Sequence, residues 1–313
     1  MSAVRSSSHG ARGPHRATRL VGVAVVCGGL LLSACGSSSG GSSKATTTVA
    51  GTSQTKDATL AALVPAKLTK AGKVVVATDA SYAPNEFLGK DGKSIEGMDV
   101  DLGKAIGAIL GVDFQFTNAK FDGIIAGLGT RYDIGMSSFT DSKEREKAVD
   151  MVTYFTAGES FMVQKGKNGD ITDLASLCGK KVAVEAGTVE LDDATAQSKK
   201  CSGSKITILS LPTQADANVA LSSGRADVSF ADTPVNAYAA KQSNGAFEIV
   251  GKSFGDAPYG IAIPKAADYK GLSDAILGAV KKLAADGTYK QILDKWGIAD
   301  GAITDFKING AIS

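Results

Sequence analysis

Lys73-Val74-Val75-Val76-Ala77-Thr78 is a short run of apolar, β-branched residues, closed by Asp79. A strand buried on both faces reads as a continuous apolar run, and such strands belong to parallel sheets. Downstream, Asp91-Gly92 marks a hairpin between two short strands. Met98, Leu102, Ile106, Ile109 and Leu110 recur at helical spacing. Val112 to Thr117 then predicts a strand, Phe121 to Leu128 a short helix and Tyr132 to Ser137 another strand. The second half repeats the pattern. Lys181 to Glu185, Lys205 to Leu209 and Ala226 to Phe230 predict strands. Gly187-Thr188, Gln214 and Asp232 open the helices between and after them. Phe247 to Val250 and Tyr259 to Ile263 are further strands, followed by amphipathic helices over Leu272 to Ala285 and Tyr289 to Trp296. This βα alternation predicts an α/β fold with mostly parallel sheets. Two sets, each long enough for its own core, predict two lobes.

In open α/β sheets ligands sit beyond the carboxyl ends of strands. Asp79, Ser137, Glu185 and Asp232 all fall at such ends. The stretch Met136 to Arg145, MSSFTDSKER, places three hydroxyls (Ser137, Ser138, Thr140) ahead of Arg145. A guanidinium turned back toward small donors makes a planar, bidentate seat for a carboxylate. The competing reading is a helix N-cap at Ser142 with Arg145 solvated on the first turn.

Composition narrows the function classes. Lys and Arg number 34 against 32 Asp and Glu, a net charge of +2, which gives no electrostatic case for nucleic acid. Arg5, Arg12, Arg16 and Arg19 precede an apolar run, Leu20 to Leu32, and small residues follow. Residues 1–34 read as a secretory signal peptide, too short for a membrane span. No adjacent arginine pair precedes the run, so the twin-arginine route has no support. Leu32-Ser33-Ala34-Cys35 resembles the lipobox of bacterial lipoproteins, which implies a diacylglyceryl group on Cys35. The alternative is a plain cleavage site beside an incidental cysteine. Acyl chains hold a protein at the membrane by about 0.8 kcal/mol per buried CH₂. GSSSGGSS over 36–43 has the composition of a flexible tether, and the polar, acid-free stretch to about Lys56 extends it. The lipidated cysteine and linker together are assigned to 35–65.

Both histidines, His9 and His15, lie within the signal. The chain beyond it therefore has no histidine. Cys178 and Cys201 remain. In an exported chain they most simply form a disulfide; two free thiols and a metal site are the alternatives, the last poor without histidine. No cofactor and no metal are implied.

The phrases ATDASYAP, GMDVDL, FDGIIAGL, YDIGMSSFTDSKEREKAVDM, KVAVEAGT, SGRADVSFAD and DGTYKQILDKWGI occur in order over residues 73–297. In these the sequence resembles the family-3 amino-acid-binding proteins of bacterial ABC importers. The resemblance implies a periplasmic-binding-protein type II fold, with two α/β lobes joined by a two-strand hinge. The implied boundaries are 66–160 and 257–313 for lobe 1 and 161–256 for lobe 2, with crossing strands over 157–164 and 256–263. Gly158 and Gly260 would absorb the hinge motion. The implied function is capture of a free amino acid outside the cytoplasm and delivery to a membrane permease, by a lipid-anchored monomer that is not an enzyme.

Carried over by position, Arg145 pairs with the ligand carboxylate, helped by the N–H groups of Thr140 and Val189 and by Thr188. Asp232 takes the ammonium with help from Ser138. Tyr82 stacks along the ligand side chain, and Ser137 faces the side-chain pocket. One fixed cation, one fixed anion and an aromatic wall suit a zwitterion without reference to any family. Asp232 and Thr188 could instead be helix caps only, and Tyr82 a core aromatic. Asp79, Asn85, Glu86, Glu185 and Glu190 are expected around the ligand side chain. Asp79 and Glu86 match acidic positions of basic-amino-acid binders. Asn85 stands where the family usually has phenylalanine, and Glu185 where an apolar or amide residue is common. Several carboxylates favour a cationic side chain. If instead they face solvent or pair with Lys180, Lys181 or Lys90, a neutral polar ligand such as glutamine stays open. Two rivals share the fold: a dehydratase of small carboxylic acids with Glu185 as general acid, and an amino-acid sensor lipoprotein.

Overall fold

The run Lys73–Thr78 is a strand (β3) flanked by parallel neighbours in an eight-stranded sheet. The computed structural model describes residues 46–49 and 51–312. The strands are β1 (Thr46–Val49), β2 (Thr52–Thr55), β3, β4 (Ser81–Tyr82), β5 (Glu86–Leu88), β6 (Ile95–Glu96), β7 (Asp113–Asn118) and β8 (Ile134–Gly135). They continue as β9 (Val149–Gln164), β10 (Lys181–Glu185), β11 (Thr207–Leu211), β12 (Val228–Asp232) and β13 (Phe247–Pro264). The helices are α1 (Ala58–Ala61), α2 (Ala66–Ala71), α3 (Met98–Leu110), α4 (Phe121–Gly127) and α5 (Lys143–Ala148), then α6 (Val189–Lys200), α7 (Gln214–Ser222), α8 (Thr233–Gln242), α9 (Leu272–Ala285) and α10 (Thr288–Trp296). The large sheet has the order β11-β10-β12-β9-β13-β8-β3-β7. The mixed α/β class follows as the sequence predicts.

β3 is apolar throughout because both its faces are covered. Val74 and Val76 pack with Leu102, Ile106 and Ile109 of α3 and Ile276 and Val280 of α9. Ala77, on the opposite face, packs with Phe121, Ile124 and Phe139. Fully burying a valine contributes about 1.5–3 kcal/mol. β10 repeats the arrangement in a separate core. Val182 and Val184 lie with Phe161, Val228 and Phe230, while Ala183 faces Ala217 and Ala220 of α7.

Two strands run through both cores. β9 and β13 pair antiparallel from Gln164↔Phe247 to Val149↔Pro264. Sequence reading splits β13 into two short strands; here they join as one of 18 residues. The polar segment between them holds its place in the ladder through register shifts between Val250 and Phe254 and between Phe254 and Ala257. Such irregularities bend a strand without ending its pairing. Gly158 lies against this bend. A Cβ there would stand 2.4 Å from Asp256 Oδ1 and 2.7 Å from the Phe254 carbonyl oxygen. The glycine is needed for close approach of the two strands.

The linker expected over 35–65 overlaps folded elements and is corrected over the part described. β1 and β2 form an antiparallel hairpin, and α1 follows at once. Its polar composition misled because a hairpin satisfies its backbone by pairing and needs little apolar surface. Tertiary hydrogen bonds hold the segment down. Gln54 is buried and donates to Thr288 Oγ1 at 2.8 Å, the Asp57 N–H donates to the Ile109 carbonyl at 2.8 Å, and Lys282 pairs with Asp57 at 2.7 Å. The signal peptide over 1–34 and the lipidation of Cys35 lie outside the described residues.

Cys178 and Cys201 form a disulfide, with Cα atoms 5.7 Å apart and a sequence separation of 23. It ties the end of α6 to the turn Leu174–Leu177. In the chain-entropy account a loop of this size stabilises by about 3 kcal/mol.

Candidate functional site

The carboxyl ends of β3, β8, β10 and β12 converge on one cavity. It is lined by Asp79, Tyr82, Phe121, Ser137, Ser138, Thr140, Arg145, Glu185, Thr188, Val189, Glu190 and Asp232. The cavity is closed down to a volume of ≈ 10 Å³. Residues of the β3 side and the β10 side touch across it.

Arg145 stands on the first turn of α5, whose N-cap Ser142 accepts from the Arg145 N–H at 3.3 Å. The cap and the inward guanidinium coexist, because the cap uses the backbone and leaves the side chain free to turn back. Nη1 donates to the Thr140 carbonyl at 2.9 Å, and Nη2 crosses the cleft to the Gly187 carbonyl at 3.0 Å. The guanidinium carbon lies 5.4 Å from the Phe121 ring centre and 5.3 Å from that of Phe139, and the two rings stack 4.5 Å apart. Aromatic faces attract a cation by their quadrupole and fix its plane. Burial pulls the Arg145 pKa down, opposed first by Glu190 and then by Asp232.

Asp232 is the N-cap residue of α8, yet its side chain makes no cap bond. Pro234 stands within the first turn of α8 and removes one N–H that a cap would serve. The carboxylate instead enters the cleft and accepts from the Tyr82 hydroxyl at 2.8 Å; the Asp232 N–H donates to the same hydroxyl oxygen at 3.2 Å. Burial raises Asp232 to about 6, restrained by the Tyr82 hydrogen bond. Thr188 does cap α6, accepting from the Leu191 N–H at 3.3 Å while donating to the Glu185 carbonyl at 2.9 Å. It also reaches the cavity, with Val189 and Glu190 of the same first turn. Gly187 adopts a φ of +83°, and a Cβ there would stand 2.9 Å from Asp122 Cα of α4 across the cleft. Only glycine meets both demands at low cost.

At the far end Asp79 and Glu185 meet, each 2% exposed. Asp79 Oδ2 accepts from the Phe121 N–H at 3.2 Å, and its carboxyl lies near that of Glu185 on the same cavity wall. Burial pushes Glu185 up to about 9, with the neighbouring Asp79 charge the next cause. Burial also raises Asp79, against the opposing pull of the Ser81 hydroxyl and of Lys120. Glu190 is driven well above the carboxylate range by burial, then by Asp232 and Glu159. Burial raises Glu159 to about 8, reinforced by Asp193 and Asp232. The wall thus carries four carboxyl groups and one guanidinium.

Glu86 and Asn85 are the exceptions among the expected residues; Glu86 shows why. It is fully buried and absent from the cavity wall. It lies behind the wall, where its two oxygens accept from Ser137 Oγ at 3.1 Å and Ser138 Oγ at 3.2 Å. Asp99 at the start of α3 joins it, accepting from the Ser138 N–H at 3.0 Å and the Tyr154 hydroxyl at 2.8 Å. Burial raises both acids, Asp99 to about 6. Together they hold Ser138 at a φ of +50°, a backbone region that costs a non-glycine residue energy. Asn85 also supports this serine, donating to its hydroxyl at 2.9 Å. Phe121, Phe139 and Asp99 have no marker in the sequence reading beyond their helix and strand patterns. Phe121 opens the FDGIIAGL helix, where an aromatic reads as core.

The sequence model of bacterial extracellular solute-binding proteins, family 3, matches residues 74–299, and the chain belongs to that family. The arginine-binding protein ArgT of Corynebacterium glutamicum is 36% identical over 254 residues, covering 79% of this chain and 82% of that protein. Among solved structures, an ancestral arginine-binding protein bound to arginine superposes with a TM-score of 0.67 at 35% identity, covering 72% of this chain and 98% of the other. An ancestral amino acid-binding protein described as a precursor of cyclohexadienyl dehydratase gives a TM-score of 0.66 at 35% identity, covering 74% and 97%. These neighbours place the fold with the type II periplasmic binding proteins. Among the described residues no helix is long and apolar enough to cross a membrane.

Proposed function

We propose that this solute-binding protein captures a cationic amino acid, of the arginine class, between its two halves and presents it to the permease of an ABC importer. One observation carries the reading. A single guanidinium faces four carboxyl groups around one cavity, contributed by both sides of the cleft. Arg145 takes the ligand carboxylate, with the N–H groups at the start of α6 completing the seat. Asp232 takes the α-ammonium, aided by Ser138. Tyr82 walls the aliphatic part of the ligand, and Asp79 and Glu185 receive its cationic end. The arginine named for ArgT and for the ancestral protein supports the same ligand class.

The lobes divide at 160/161 and 256/257, with β9 and β13 as the hinge. Hydrogen bonds across the cleft bridge them, among them Arg145 to Gly187, the reciprocal pair between Tyr82 and Asp232, and the Gln214 N–H to Ser81 Oγ at 3.2 Å. Such contacts exist only on closure, so they bias the equilibrium toward the form a permease would distinguish. The protein acts as a monomer anchored outside the cytoplasm through lipid on Cys35, and does no chemistry on its ligand.

Titration calorimetry with the twenty amino acids tests the reading. Arginine should bind tightest, lysine next, acidic amino acids not at all. A protein that bound no amino acid would end it.

The dehydratase reading has one feature in its favour: burial pushes Glu185 up to about 9, the direction a general acid needs. Incubation with prephenate-like acids separates the two. The binding reading expects the acid to be recovered unchanged.

A further inference from the structure

Asp79 and Glu185 come from opposite sides of the cleft, one at the end of β3 and one at the end of β10. Each is 98% removed from solvent, judged by a 2% exposure, and both line the cavity. Glu185 Oε1 has no hydrogen-bond partner among the described residues, and both carboxyl groups line the same narrow, buried cavity, close enough for the Asp79 charge to raise Glu185. Two carboxylates cannot meet in such a place with both charges intact; contact requires that one hold a proton and donate it to the other.

The surroundings do not replace that proton. Asp79 faces the Ser81 hydroxyl, the Phe121 N–H and the exposed Lys120. Glu185 faces Lys120 and the Gln214 N–H. The remaining charged groups on the wall are Arg145, Glu190 and Asp232, with the Tyr82 hydroxyl. Arg145 is already committed to Thr140, Gly187 and the acids beside it.

We propose that Asp79 and Glu185 form a carboxyl pair closed by one shared proton, and that the cationic end of the ligand side chain takes the place of that proton. Binding a cationic amino acid then releases one more proton to solvent than binding a neutral amino acid of similar length. A neutral side chain leaves the pair protonated and meets it as a hydrogen-bonding partner. The ligand α-ammonium also meets raised acids, Asp232 and Glu190. That contribution is common to every amino acid and cancels in the difference. The pair is thereby a selectivity device tuned by pH. It favours cationic over neutral ligands more strongly as pH rises toward about 9, where Glu185 would lose its proton unaided. This inference rests on the cationic-ligand reading above.

The experiment is calorimetric titration of the protein with L-arginine and with L-glutamine at pH 7, in buffers of different ionisation enthalpy. The slope of observed heat against buffer enthalpy counts the protons. Arginine should release about one proton more than glutamine, and the ratio of their affinities should rise about tenfold per pH unit across pH 6–8. Glu185→Gln should abolish the difference in proton count, because an amide can donate to an ionised Asp79 without a shared proton. Arginine binding with the same proton count as glutamine overturns the proposal while leaving the cationic-ligand reading standing. An excess unchanged in Glu185→Gln overturns the assignment to this pair. Absence of heat with every amino acid overturns both. The wild-type buffer series stands by itself if the variant does not fold.

Discussion

The two ends of the cavity solve opposite electrostatic problems. At one end Arg145 faces Asp232 and Glu190, so a positive and a negative seat lie side by side. Its partners are fixed by the backbone of Thr140 and Gly187 and by two stacked rings. At the other end Asp79 lies near Glu185, like against like, and burial with the neighbouring charge pushes Glu185 up to about 9. The first end is complete in itself and complementary to the part common to all amino acids. The second is complementary to something outside the protein. On the proposed reading, recognition of the class and choice within the class are spatially separate. The choosing end is the one that stores unfavourable electrostatics.

Removing the guanidinium is the largest perturbation of that contrast. Arg145→Ala should weaken every amino acid alike by at least about a hundredfold, since truncating a buried charge partner costs roughly 2–5 kcal/mol. Calorimetry returning wild-type affinity would dissolve the distinction between the ends. Asp232→Asn comes next. It keeps the Tyr82 contact but loses the charge for the ammonium, so affinity should fall about thirtyfold for arginine and glutamine together. A loss confined to arginine would move Asp232 to the selecting end. Glu185→Gln should act on preference, lowering the arginine-to-glutamine ratio about tenfold at pH 7 while glutamine binds nearly as before.

A separate effect is on stability. Glu185 keeps its proton up to about 9 in the fold but loses it near 4.5 when unfolded. A raised acid binds the extra proton in the folded state, so its contribution is complete below about 4.5 and is lost as pH rises toward 9. The Tm of ligand-free protein should therefore fall over that range. Glu185→Gln should flatten the fall. A thermal scan in which variant and wild type trace parallel pH profiles would show that the pair opens to water when no ligand bridges it.

Much of this site is legible in the chain because the fold class specifies where to look. Strand ends in an α/β sheet face one crevice, so Asp79, Ser137, Glu185 and Asp232 could be grouped from position alone. The MSSFTDSKER stretch also identifies Arg145, since a cap at Ser142 fixes the turn on which it stands. Glu86 was misplaced. It opens a three-residue strand and, with Asn85, packs behind the wall against Ser138, a placement set by tertiary packing. Phe121 and Phe139 went unnoticed because an aromatic at a helix start or after a strand has the same pattern whether it packs in a core or under a guanidinium. The hairpin over 46–55 was hidden by its composition, which matches a tether until the burial of Gln54 is seen.

The sequence by itself determined the order of strands and helices, the family and the positions at which chemistry could gather, because periodicity and strand ends are local properties. Only the tertiary structure decided that Asp232 serves the cleft and makes no side-chain cap, that Glu86 supports two serines from behind, and that Asp79 and Glu185 share one buried spot. Those outcomes depend on which surfaces close over which. Burial sets the charge of a carboxyl group, and burial is a property of the packed molecule and of no segment alone.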